Sequence, residues 1–550
     1  MKTRLPKALL IAVLAAIVQP VLAEETTPQP DFSTWGTKVT PGVIVGKEQN
    51  VTISGNENLP DGLMVGAPVN DATATYGYNK PYLKDGVDTT LTIEKVDATF
   101  VNPLYVREGA AEIKDSNILV NCKPDQVMLQ VAGNNAEITF TNSSYAHYTS
   151  TVFMAVGGPD GKGTMNLVNS HVTATTLLLG HSSASYWEKT FITNSTAASI
   201  EGEDRYSGGE YTHTNRGNGD RFYGEATVNV DADSTLTMKT TLYIAEATLN
   251  VNGGKVTTEN ARYGVVLGKI IDSHSTLNIK DGGQMISAGG FQTGDYFSGV
   301  DHSGATILVD GKNDKGEAST LSTTGVLNLG YGSKNAKDGV VQTSLTVSNG
   351  GKVVAGGITL GRDTDANLSK QVQVTVGADS SIEGASLNVL EGAYVANNGE
   401  LIADTITLDG GELVLGNEST LTLIVDNTAA LIFGDTEVLK LATDATKVYV
   451  NLVLNSMSAY ALRSASTDLI LAEGNVEQVS AFYSLLDDDN VAVTYVDANG
   501  NELNDYGVQK DSDGKLVISS TSDDVVPEPT TTTLSLLALA GLAARRRRAL

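Results

Sequence analysis

Residues Leu345–Gly361 read LTVSNGGKVVAGGITLG. Leu345 and Val347 alternate with polar residues, the period-two pattern of a half-buried strand. Asn349-Gly350-Gly351 then supplies a turn that admits positive φ. Val353-Val354 and Ile358–Leu360 resume the apolar strand, separated by Gly356-Gly357. The phrase is strand, turn, strand, corner, strand, and it recurs loosely through the middle of the chain. Self-similarity at a fixed step decides architecture before any single element does.

Earlier and later copies open at Met165, Val228, Leu249, Leu277, Ile307 and Val374. From Val228 onward the steps are 21, 28, 30, 38 and 29 residues, and the long step contains the polar insert Gly311–Ala318. Closing phrases recur at Leu177–Gly180, Val266–Gly268, Leu327–Gly330, Thr359–Gly361 and Val414–Gly416, and glycine pairs recur at 253–254, 282–283, 350–351 and 410–411. A step near 28 residues is filled by three short strands and three turns. No segment sustains the 3.6-residue stripe that a βαβ unit would need. The expectation is an all-β parallel β-helix of roughly a dozen coils over residues 86–425, with Asn and Thr able to stack at corners and terminal β caps at both ends. The competing architecture is one or two antiparallel sandwiches.

The flanks divide the rest of the chain. Residues 24–85 carry prolines 28, 30, 41, 60, 68 and 81 and read as linker and N-terminal cap. Residues 426–524 lose the glycine phrase and read as a C-terminal β cap and spacer. Phe482–Leu486 is expected to form a short helix, and Asp497–Asn501 a hairpin turn.

Composition narrows the functional classes. The 550 residues carry a formal charge of −27, and seven of the 37 basic residues sit in the two ends, leaving 30 basic against 64 acidic side chains between them. Such a body repels a phosphate backbone, so nucleic acid is not an expected partner. The single cysteine, Cys122, rules out an internal disulfide and reads as a buried thiol in an apolar run.

Residues 1–23 have the form of a signal peptide: Lys2, Arg4 and Lys7, then uncharged Ala8–Val18, then a cleavage site between Ala23 and Glu24. That makes the chain exported through the Sec machinery. At the other end, 525–550, come Pro527-Glu528-Pro529, an uncharged run Thr530–Ala544, and Arg545, Arg546, Arg547 and Arg548. The apolar run is about 22 Å long as a helix, short of the ~30 Å hydrocarbon core, which suits a transient membrane anchor.

This tail resembles the PEP-CTERM sorting tail of Gram-negative envelope proteins. The resemblance implies an exosortase, a membrane cysteine transpeptidase-like enzyme, as the processing partner. The repeats in 165–416 resemble autotransporter passengers and adhesin-like surface proteins, though without a C-terminal barrel. Together these imply a non-catalytic protein of the cell envelope or cell surface, adhesin-like or matrix-associated, or released after tail processing.

The most site-like stretch is the insert 202–224, GEDRYSGGEYTHTNRGNGDRFYG. Arg205, Tyr206, Tyr211, His213, Arg216, Arg221 and Tyr223 offer flat faces and directed donors for a glycan, an exopolysaccharide or a protein; the bland alternative is a solvated loop. Cofactors and metals are not expected. The six histidines lack metal spacing, and Asp497–Asn501 has Glu502 where a calcium loop needs glycine. Asp363 and Asp365 form an isolated acidic pair, and Gly180-His181-Ser182 only faintly matches the Gly-His-Gly phrase of β-helix polygalacturonases. A polysaccharide hydrolase or lyase is therefore the second reading, and would need carboxylates converging across coils. Ice binding is the third; it would need Thr-x-Thr on successive coils, and Thr90/Thr92, Thr139/Thr141 and Thr173/Thr175 do not continue through 225–425.

Overall fold

A computed structural model describes residues 40–45, 50–55, 60–65, 90–100, 104–121, 127–147, 153–157, 162–180, 225–261, 264–268, 273–293, 304–330, 343–361, 371–426, 428–435, 439–454, 469–497 and 499–520. The chain winds as a parallel β-helix with three sheets, each coil contributing one strand to each. The register expected from the repeat openings is the register observed: Val228 pairs with Leu249, Leu249 with Leu277, Leu277 with Ile307, Ile307 with Leu345 and Leu345 with Val374. All pairings among the described strands are parallel except two at the C-terminal end. The sandwich alternative is excluded by that pattern.

The first sheet runs from strand Asn50–Ser54 to Leu439–Leu441, fourteen strands deep. At about 4.8 Å per coil that stack is roughly 60 Å long. Its inward positions form two apolar columns, exemplified by Leu249/Val251 over Leu277/Ile279 over Ile307/Val309, each 0% exposed. Every such side chain contributes roughly 1.5–3 kcal/mol through burial. No coil could bury its apolar side alone, so the columns hold the stack together.

The turn between the first and second sheets explains the glycine pairs. Gly350 has φ +85°, and a Cβ on the next residue, Gly351, would lie 2.3 Å from the carbonyl oxygen of Val309 in the preceding coil. Gly283 stands in the same relation to Val251, at 2.2 Å. Where the second glycine is absent, serine takes its place and works differently. Ser143 Oγ accepts from the backbone N–H of Ser116 at 3.1 Å, and Ser170 Oγ from that of Ser143 at 3.1 Å. The preceding residue, Asp or Asn, adopts the left-handed conformation: φ is 49° at Asp115, 49° at Asn142 and 45° at Asn169. This tolerance of αL by short polar side chains is why Asp-Ser and Asn-Ser substitute for Gly-Gly.

Several boundaries differ from expectation. Three strands, Thr40–Val45, Asn50–Ser54 and Pro60–Val65, already pair in parallel within the proline-rich N-terminal segment; Pro60 sits at a strand start, where no ladder donor is lost. The phrase Val414-Leu415 belongs to the first sheet, pairing with Ala396 and Asn397, and Gly410-Gly411 turns the chain from third to first sheet. In that coil the glycine pair alone joins the merged second- and third-sheet strand Glu400–Asp409 to the next first-sheet strand, Glu412–Leu415. Parallel stacking also passes residue 425, continuing through Val448–Leu454 to Val491–Asp497.

Helix α1 (Val476–Leu486) then stands between third- and second-sheet strands, where earlier coils have a first-sheet strand. Asn475 caps it, accepting from the N–H groups of Glu477 and Gln478. Its Phe482 packs on Phe433 with ring centroids 5.9 Å apart. An antiparallel pair, Tyr506–Lys510 with Leu516–Ser520, covers the end of the third sheet. Cap elements of this kind shield the unpaired groups of a last coil. Asp497–Asn501 is a turn: the Asp497 carboxylate accepts from Asn499 N, Asn501 N and Asn501 Nδ2, all at 2.8 Å.

Candidate functional surface

Two features set one side of the rod apart. The first is where chain length varies. Between the third-sheet strand Thr176–Leu179 and the first-sheet strand Ala226–Asp231 the chain carries residues 181–224, so the two coils paired at Met165 and Val228 are 63 residues apart. Segments 269–272, 294–303, 331–342 and 362–370 lie at the same third-to-first corner. In a stacked-repeat protein such connections mark a face available for binding, although Gly311–Ala318 joins first- to second-sheet strands and 455–468 second- to third-sheet strands.

The second feature is the outward surface of the first sheet, whose strands follow these segments in the chain. Each re-enters the fold one to three residues before an outward position: Glu225 precedes Thr227, and Gly304 precedes Thr306. One outward column holds Thr164, Thr227, Thr248, Thr276 and Thr306 in register. The neighbouring column holds Asn166, Asn229, Asn250 and Asn278. The asparagines form a ladder: Asn229 Nδ2 donates to Asn166 Oδ1 at 2.7 Å, Asn250 to Asn229 at 2.8 Å and Asn278 to Asn250 at 2.8 Å. Continuing to Gln373 and Thr375, the two columns hold fourteen side chains and no charge. A third outward column on the same strands does carry charge, holding Asp231, Asn252, Lys280, Asp310 and Ser348, as does the second sheet, where Lys255, Lys352 and Glu400 share an outward column.

The asparagine ladder was not anticipated at this place. A search for Thr-x-Thr passes over it, because the recurring unit is Thr-x-Asn at 164–166, 227–229, 248–250 and 276–278. That recurrence was present in the sequence. Corner stacking of asparagine occurs as well, with Asn169 Nδ2 donating to Asn142 Oδ1 at 2.9 Å.

The described histidines are structural. His147 is buried, accepts the backbone N–H of Thr175, and is pushed down to about 4 by burial. His171 and His274 bond the hydroxyls of Thr235 and Thr306 in the next coil, at 2.9 and 2.8 Å. Among the described residues no group of three or more His, Cys, Asp or Glu converges as a metal site. Asp404 is held above the usual carboxylate range by burial and by the charge of Asp426 in the adjacent coil. Residues 202–224 with Arg205, Tyr206, Tyr211, His213, Arg216, Arg221 and Tyr223, the signal-cleavage pair Ala23 and Glu24, Cys122, His181, Asp363, Asp365 and the whole tail lie outside the described residues.

Residues 525–548 match the model of the PEP-CTERM protein-sorting motif. The motif takes in Pro527, Glu528, Pro529 and Arg545–Arg548, the residues on which the tail was read. The chain is thus a β-solenoid protein with a PEP-CTERM tail. That tail marks an exported protein, sorted by an exosortase to the cell envelope or surface. No curated protein and no solved structure matches the chain.

Proposed function

We propose that this chain is a non-catalytic, adhesin-like or matrix-associated component of a Gram-negative cell envelope, exported through the Sec route behind a signal peptide at 1–23. The solenoid acts as a stiff rod. The connections between its third- and first-sheet strands, with the Arg- and Tyr-rich segment 202–224 foremost, are the parts it presents. A glycan or exopolysaccharide is the expected ligand. Many of the longer connections, 181–224, 294–303, 331–342 and 362–370 among them, run from a third-sheet to a first-sheet strand, on a chain that bears a sorting motif, and that supports this reading.

A glycan array run beside a reducing-sugar assay tests it. Binding without release of reducing ends is the expected result; turnover of a bound glycan would overturn the non-catalytic assignment. The Asp404–Asp426 pair supports a second reading, a polysaccharide hydrolase or lyase, because a carboxyl raised by burial and by the charge of Asp426 on the adjacent coil suits general acid chemistry. Loss of any such turnover in Asp404→Asn would establish it.

A further inference from the structure

We infer that His147 is an acid-operated latch between two coils of the rod: protonation of its ring parts the second-to-third corner at Thr175 while the coils farther along stay wound. This device is independent of the ligand proposed above.

One coil-to-coil bond changes kind at this corner. Just past the end of a second-sheet strand, a backbone N–H elsewhere binds the last carbonyl of the strand before. Asn121 N donates to Phe100 O at 2.7 Å, Lys239 N to Ala174 O at 2.8 Å, Glu259 N to Met238 O at 2.9 Å and Ala288 N to Thr258 O at 2.9 Å. His147 occupies the same strand-end position, in register with Val120. There Thr175 N donates to Nε2 of the imidazole instead. A carbonyl, which does not titrate, is replaced by the one side chain whose ordinary titration falls near neutral pH.

The closed corner has no place for a charged ring. His147 is 6% exposed and points into the rod. Accepting through Nε2 leaves the ring's own proton on Nδ1, which faces Thr175 Oγ1 at 3.5 Å. A second proton would fall on Nε2 and set a donor against the Thr175 N–H. Thr175 is buried as well, so both groups are shut from solvent until the corner opens.

Nearby groups do not offset that charge. Among the described residues His147 is the only buried His, Lys, Arg, Asp or Glu. The flanking strand Asn117–Val120 has no ionisable side chain. On the other flank, His171–Ala174, the exposed His171 bonds the Thr235 hydroxyl. The third-sheet strands Phe153–Val156 and Thr176–Leu179 contribute none. Tyr145, inward on the same strand, packs on Phe140. Burial holds the ring down to about 4, and opening returns it to the ordinary value near 6.5. Between those values the open corner binds a proton that the closed one refuses. The latch is therefore shut above 6.5 and loosens as pH falls toward 4.

A stack of coils can open at one boundary, because each coil touches only its neighbours. At the next boundary Thr240 N and Oγ1 donate to Thr175 O at 2.7 and 2.8 Å, with no titrating partner. The acid-sensitive bond is thus confined to the coils that His147 joins.

The test is hydrogen exchange with mass spectrometry on the purified full-length chain at pH 7 and pH 5, read as protection factors so that the intrinsic pH dependence of exchange cancels. His147→Gln, which keeps an acceptor and does not titrate, is run beside it. The expected result is a loss of protection of about twentyfold at 144–147 and 171–179 in the wild type between pH 7 and pH 5, absent from His147→Gln. Protection over 247–258 should stay constant in both. A loss spread evenly along the rod overturns the local latch. No loss at 144–147 and 171–179, or an equal loss in His147→Gln, overturns the role of the ring. Circular dichroism and melting temperature report whether the variant folds. If it does not, NMR of the six histidine rings of the wild-type chain decides: one ring still neutral at pH 5 bears the inference out, and six rings that all titrate near 6.5 overturn it.

Discussion

Asn250 Nδ2 donates to Asn229 Oδ1 across 2.8 Å, joining two coils through their outward side chains in the same direction as the backbone ladder beneath. Asn278 repeats the contact on Asn250, so Asn250 both gives and receives. Asn250→Ala removes both bonds at a half-buried site and should cost about 1 kcal/mol. Asn250→Asp should cost more, about 2 kcal/mol, because a carboxylate faces the Asn229 oxygen with no proton to donate. Thermal or urea denaturation of the two variants gives the ordering directly; an aspartate variant as stable as the alanine one would mean that the ladder's direction does not matter.

The glycine pair at 350–351 separates two kinds of constraint. Gly351→Ala drives a Cβ into the Val309 carbonyl of the coil below, where only backbone movement relieves the contact, and should cost about 3 kcal/mol. Gly350→Ala meets mainly the flexible Lys312 side chain and pays for its positive φ, about 1–2 kcal/mol. Denaturation midpoints that placed Gly350→Ala as the worse of the two would contradict the close-approach argument.

Burial of His147 makes stability depend on pH. Burial pushes the ring down to about 4 in the folded chain, whereas an exposed histidine titrates near 6.5. Below 6.5 the unfolded chain therefore binds a proton that the folded one refuses. The contribution is complete above 6.5 and is lost as pH falls from 6.5 toward 4. Between pH 7 and pH 5 the loss should be about 2 kcal/mol. His147→Gln, which keeps an acceptor for Thr175 N–H, should remove that part of the slope; equal slopes in the two proteins would show that the ring titrates normally.

Much of the fold was legible because its signals are local and repeated. Val228, Leu249, Leu277, Ile307 and Leu345 fall in one column at the spacing their phrases predict. Asn-Gly-Gly marks a turn wherever the chain needs both positive φ and room for the coil below. Elsewhere the same need is met by different residues. Asp115-Ser116 and Asn142-Ser143 satisfy it through a left-handed aspartate or asparagine and a hydroxyl that caps the neighbouring N–H, so glycine alone does not find these corners. The third-to-first corner was hidden for another reason. Only once each strand is assigned to a sheet do the scattered segments 181–224, 294–303 and 331–342 prove to share one edge.

The most direct test of the central claim is the intact mass of the mature protein isolated from the envelope fraction, for the wild type and for a variant with Arg545, Arg546, Arg547 and Arg548 all changed to Ala. The account predicts a wild-type chain that ends before the arginine cluster, and a variant that keeps its tail and is mislocalised. Identical mature masses and identical location in the two proteins would contradict it.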